Sequence, residues 1–312
     1  MKRFKLNPIA RKDLTITSRS MKFTWGLFAF EVMLTIVFLI ALGIMQGSRS
    51  YAHSNADDFS RFVAMFPAVS IAELCLVALI IPITTSDAIA GEKQRQTFDI
   101  MLTTQITPMQ IIRGKMMSSI VRIMMYVAAS IPIMAVGFTI GGISWWALFF
   151  YILLVLVLAI LEAAIGCFCS SVCKRSITAI LMSYVMLAVV FGCTYLPLLA
   201  LAILDATDVI NVSAGNMMEQ ALVSGAILTL LPNPVMTFIE FYTHVLAGRS
   251  YAIKELTEGC LPGFSVLGEG VIWIILSVAV ILLISYLFMR LAAYKTDPLN
   301  ARGSKKAKKS KS

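Results

Sequence analysis

The run WWALFFYILLVLVLAIL, residues 145–161, holds no charged residue, no amide side chain, no glycine and no proline. A helix rising about 1.5 Å per residue needs about 20 apolar residues to cross a hydrocarbon core of about 30 Å. With its apolar continuation past Glu162 toward Cys169, this run is long enough. Similar runs flank it on both sides, so the feature belongs to the whole chain. Of 312 residues, 59% are hydrophobic and 14% charged, against about 45–50% and 25% for soluble domains. Blocks of this length do not build one oversized soluble core. They predict an all-α integral membrane protein.

Six spans follow, at about residues 25–45, 62–83, 116–140, 145–169, 177–204 and 271–289. Lys and Arg sort by side. The segment before Trp25 holds Lys2, Arg3, Lys5, Arg11, Lys12, Arg19 and Lys22. The loop between spans two and three holds Lys93, Arg95, Arg113 and Lys115, and that between four and five Lys174 and Arg175. Eight more lie from Arg290 onward. The opposite side holds Arg49, Arg61, Arg249 and Lys254, while Arg122 lies just inside span three. The positive-inside rule therefore predicts both termini in the cytoplasm. The first span exceeds the 7–15 residues of a signal-peptide apolar core and reads as a retained anchor. Residues 205–270 are then external. Within them ALVSGAILTLLPNPVMTFIEFYTHVLAG, residues 221–248, is broken by Pro232 and Pro234. As a seventh span it would put the basic tail outside, so a re-entrant or interfacial helix is expected.

The net charge of +9 does not indicate nucleic acid, because no basic run is interleaved with aromatics for base stacking. It fits orientation and attraction to anionic lipid. The six cysteines sit mostly in apolar runs and read as small buried hydrophobes. Cys167, Cys169 and Cys173 have a metal-like spacing but no His or second Cys pair near them, so no metal site is expected. His53 and His244 stand in no motif. Gly114-Lys115 lacks the upstream glycine and following Ser/Thr of a P-loop, and neither GxSxG nor HExxH occurs. Catalysis by this chain is not expected, and no cofactor of its own.

Three acids fall within spans: Glu31, Glu73 and Glu162. Carboxylates at membrane depth are costly and are functional candidates by default. Two readings stand, a packing group satisfied by hydroxyls inside the bundle and a contact lining a substrate pathway or gate. A proton relay would need more acids than these.

GEKQRQTFDIMLTTQITPMQIIRGK, residues 91–115, is written for water yet carries apolar residues at helical spacing. Thr107-Pro108-Met109-Gln110 has the form of a capping box with proline at the first helical position. A helix should start at Pro108, carry Ile112, Met116 and Ile120 on one face, and run into span three. Upstream, Phe98, Met101 and Leu102 share a face of another short helix. The pair is either an amphipathic loop lying on lipid or a docking surface for a soluble partner. Asn7-Pro8 opens a comparable interfacial helix before span one, placing residues 1–23 on anionic lipid.

NPIARKDL before the first span and the 91–115 stretch after the second resemble the permease subunits of ABC-2-type transporters. That family's pattern runs Glu-x-x-x-Gly-Thr, an aromatic or Leu, a Leu pair, a Thr/Ser-Pro step, then Ile-Ile/Leu-x-Gly-Lys. It is met here by Glu92, Thr97, Phe98, Leu102, Thr107, Pro108, Ile111, Ile112, Gly114 and Lys115. The loop SSVCKRSITA, residues 170–179, matches a further step. Gln96 departs from the pattern, which has glycine there, and a side chain disfavours the tight turn that glycine permits. The resemblance implies a bacterial cell-membrane exporter permease of six spans over residues 24–292, with a basic cytoplasmic tail at 293–312. It implies a coupling helix in the loop 84–115, docked on an ATP-binding cassette subunit that carries ATP and Mg, and a second permease beside it. Glu92, Phe98, Met101, Leu102, Thr107, Pro108 and Ile111 are the docking candidates. The rivals are a non-transporting membrane scaffold and an ion-coupled secondary transporter.

Overall fold

The computed structural model of the chain describes residues 13, 15–16, 19–47, 65–97, 107–141, 144–207, 217–247 and 270–296. These are helical throughout apart from short turns, with no strand among the described residues. In chain order the helices are α1 (Met21–Gly47), α2 (Met65–Gln94), α3 (Pro108–Gly141), α4 (Trp145–Val172), α5 (Ser176–Cys193), α6 (Leu196–Ala206), α7 (Met217–Leu228), α8 (Pro234–Ala247) and α9 (Gly270–Thr296). Among the described residues, six segments are long and apolar enough to cross a membrane: α1, α2, α3, α4, α5 with α6, and α9. The expected six-span all-α fold is what the chain adopts. The helix of span two continues past residue 83 to Gln94, and a helix starts at Pro108 and runs into span three, as its capping box leads one to expect.

Pro82 lies inside α2 without ending it. Proline removes one helical N–H and frees the carbonyl four residues earlier. Around it Tyr184 donates its hydroxyl to Leu79 O, and Thr84 and Thr85 donate theirs to Ile81 O, side-chain bonds of the kind that help spans tolerate proline.

The residues fall into two compact units. The first comprises Met1–Ser144, Ala159–Tyr184 and Ser285–Ser312; the second comprises Trp145–Leu158 and Val185–Ile284. In the first, α1, α2 and α3 pack on one another. Its core joins Ile89, Ile112, Cys167, Met289 and Ala292, flanked by Met109, Met116 and Phe168. The face predicted for the start of span three is therefore a core face. Gly166 shows how closely α4 approaches α2: a Cβ there would lie 2.0 Å from Thr85 Oγ1 and 2.8 Å from Thr85 Cβ. Small residues at such crossings let backbones meet.

In the second unit, Trp273 is fully buried among Val223, Ile227, Leu230, Leu231 and Met236. The segment expected as one re-entrant or interfacial helix is two helices, α7 and α8, joined by a turn through Pro232. At 12 and 14 residues, each is too short to span, which takes about 20. Asn233 holds the turn together. Its Oδ1 accepts from Val235 N at 2.9 Å, as an N-cap just before Pro234, and its Nδ2 donates to Phe191 O and Thr194 Oγ1. Thr229 donates to Thr194 O, and Ser277 to Leu231 O. Side chains at the α7–α8 turn thus satisfy backbone carbonyls at the break between α5 and α6, and Ser277 of α9 satisfies one at the turn.

Candidate functional site

The ends of the hairpin between α2 and α3 carry the densest polar construction in the first unit. α2 stops at Gln94 in a left-handed turn centred on Gln96, whose φ is +60°. Thr97 N donates to Glu92 O at 3.0 Å and Gln96 N to Lys93 O at 3.2 Å. This is the paired closure of a Schellman motif, which places its left-handed residue where glycine is the usual choice. The glycine-favoured turn therefore forms in this chain with glutamine in it.

On the other strand of the hairpin the capping box is reciprocal. Gln110 N donates to Thr107 Oγ1 at 3.4 Å, and Thr107 N donates to Gln110 Oε1 at 3.2 Å. Proline at the next position lacks the N–H that a helix start leaves unpaired anyway. Both hairpin ends are consequently fixed by local chemistry.

Charge closes the base. Lys115, only 5% exposed, donates to Glu92 Oε1 at 2.6 Å and lies 3.0 Å from Asp13 Oδ2. One ammonium thus joins α2, α3 and Asp13. Lys93 reaches the end of α4, donating to Ser170 O and Ser171 O, carbonyls that the helix end leaves without helical partners. Gln94 Oε1 accepts from Ser176 Oγ and N, at 3.3 and 3.5 Å, at the start of α5. Ser170 Oγ accepts from Ile89 N and Ala90 N at 3.1 and 2.7 Å. The loop at 170–176 is held to the hairpin base by consecutive residues, Lys93 and Gln94.

Of the docking candidates, Glu92 is half-buried, Thr107 exposed, Pro108 half-buried and Ile111 fully buried. Ile111 supports the hairpin from inside. Phe98, Met101 and Leu102 lie outside the described residues, as does Asn7-Pro8. The intramembrane acids are not brought together as one cluster by any bond. Glu73 is fully buried and accepts a hydrogen bond from Ser130. Glu162 is fully buried, and neither carboxyl oxygen has a hydrogen-bond partner among the described residues. Glu31 is partly exposed, with one buried oxygen likewise unpartnered among them.

Sequence reasoning missed three participants in the site, Asp13, Lys93 and Gln94, and one residue outside it, Asn233. Asp13 stood in a segment read as lying on lipid, and only its place four residues after Ile9 in NPIARKDL hinted at an inward face. Lys93 and Gln94 lie past the expected end of span two, where the sequence shows only charge and polarity. Asn233-Pro234 repeats the cap-and-proline grammar of Thr107-Pro108 but was read only as a break.

Six spanning segments and a braced polar hairpin between the second and third define a multi-pass helical membrane protein. The sequence profile described as ABC-2 family transporter protein matches residues 7–292, and the chain belongs to that family. It is the membrane component of an ABC-type transporter, a permease and not itself the catalytic part. No curated protein matches the chain.

Proposed function

We propose that this permease belongs to an ATP-driven exporter of the bacterial cell membrane, with both termini and the α2–α3 hairpin in the cytoplasm. A separately encoded ATP-binding cassette subunit, carrying ATP and Mg, docks on the hairpin, and a second permease completes the transporter. The observation that carries the reading is the bracing of the hairpin base. A Schellman closure at Gln96, a capping box at Thr107 and the Lys115 ion pairs hold both of its strands. Coupling requires contacts that differ between two states and an element stiff enough to transmit them. A loop merely lying on lipid needs no such construction.

The Lys and Arg distribution supports the orientation, and the basic ends favour contact with anionic lipid. On this reading Glu92, Thr107 and Pro108 border the docking surface, and Phe98, Met101 and Leu102 supply its apolar part. Glu31, Glu73 and Glu162 are candidates for the pathway. Leu102→Asp tests the docking. The variant should insert and behave as a monodisperse protein but lose copurification of the cassette subunit. Recruitment at wild-type stoichiometry with transport-controlled hydrolysis would refute the assignment.

A further inference from the structure

We propose that Asp13, Glu92 and Lys115 form a charge joint that makes the N-terminal segment a working part of the hairpin, with Asp13 and Lys115 as positioning residues. The Lys115 ammonium contacts two carboxylates from parts of the chain that no local structure links, Glu92 at 2.6 Å and Asp13 at 3.0 Å. The side chains of all three are largely enclosed, at 7%, 23% and 21% exposure. The second Glu92 oxygen is buried with no hydrogen-bond partner among the described residues, so that carboxylate relies on Lys115. Arg122, one helical stretch further along α3, lies within electrostatic range of Asp13 and Asp87. Arg122 thus adds a second cation on the Asp13 side of the joint.

A second fixed point lies beyond the joint along α3. Phe23 and Phe30 of α1 meet the Tyr126 ring edge-on, with centroids 5.4 and 5.3 Å away. Gly26 lets α1 approach so closely that a Cβ there would sit 2.9 Å from the Tyr126 hydroxyl. Two attachments at different heights resist rotation where one would act as a pivot. Asp13, α1, α2 and α3 accordingly move with the hairpin ends as one body. Displacement of the hairpin then reaches the first span directly, and not only the spans on either side of it. That functional meaning rests on the docking reading, but the mechanical link does not.

Hydrogen–deuterium exchange on the full-length permease in lipid nanodiscs, without any ATPase, tests the link. Asp13→Asn should raise exchange in peptides around residue 13 and also across Thr107–Lys115, by roughly fivefold or more. Glu92→Gln should raise it reciprocally around residue 13. Asp13→Glu keeps the charge and should leave both regions near wild-type rates. Unchanged exchange across Thr107–Lys115 in Asp13→Asn overturns the joint, as does loosening by Asp13→Glu equal to that of Asp13→Asn. Failure of cassette recruitment in its own assay would leave this result standing, so the two ideas fail separately.

Discussion

Replacing Gln96 by glycine should stabilise this protein, although the substitution removes a side chain and adds no contact. Gln96 occupies the left-handed region, with φ at +60°. An L-residue there costs roughly 1–2 kcal/mol through the clash of its Cβ with the carbonyl oxygen that follows. Glycine escapes that clash but loses about 0.5–1 kcal/mol more in backbone entropy on folding. The difference is a net gain of about 0.5–1 kcal/mol, confined to the α2 terminus. Gln96 is exposed, so no lost packing offsets the gain. Because the gain is local, it should be read locally, as slower amide exchange at Gln96 and Thr97, whose N–H groups close the motif. About 0.5–1 kcal/mol corresponds to roughly two- to fivefold. Gln96→Thr, with a β-branched side chain, should speed exchange at the same amides. Equal exchange in glutamine, glycine and threonine forms would refute the argument, because the turn would then not be under backbone strain.

Other consequences follow from side chains whose neighbours are known. Gly166→Ala should lower the melting temperature in detergent through an overpacking cost of about 1–3 kcal/mol, since its Cβ would lie 2.0 Å from Thr85 Oγ1. Thr85→Ala in the same chain should recover only part of this, because Thr85 Cβ remains 2.8 Å away. Glu162→Met should raise thermal stability, as it removes a buried acid with no hydrogen-bond partner among the described residues. Glu73→Met should lower it by breaking the bond from Ser130; thermal melts of the two variants in one detergent compare them. Asn233→Ala should cost about 1–2 kcal/mol, since it strips the α8 cap and two further bonds. It should show as selective proteolytic sensitivity near the α7–α8 turn.

The fold was legible where local rules act alone. Uninterrupted apolar length such as residues 145–161 announces a span regardless of its surroundings, and the Thr107–Gln110 box closed as its spelling requires. Less legible was what depends on distant partners. Gln96 was a mismatch to a glycine pattern, yet the Schellman bonds from Thr97 and Gln96 hold its backbone in the glycine-like conformation. That α2 continues past residue 83 is hard to read because its last turns are polar for reasons invisible in sequence: Glu92 faces Lys115, Lys93 caps α4, and Gln94 meets Ser176. The union of Asp13 with Lys115 spans about a third of the chain and has no periodic signature. In residues 221–248 the helix-breaking prolines are plain in the sequence, but the pairing of Pro234 with an asparagine cap is not.

The reading of this chain as an ATP-driven permease is tested most directly by purifying it from cells that also produce a candidate cassette ATPase. The account predicts a stable complex of two permeases with two cassettes that hydrolyses ATP in proteoliposomes, and no such complex when Leu102 is replaced by aspartate in the permease. A permease that purifies without any cassette, and transports under an ion gradient with no nucleotide present, would contradict it.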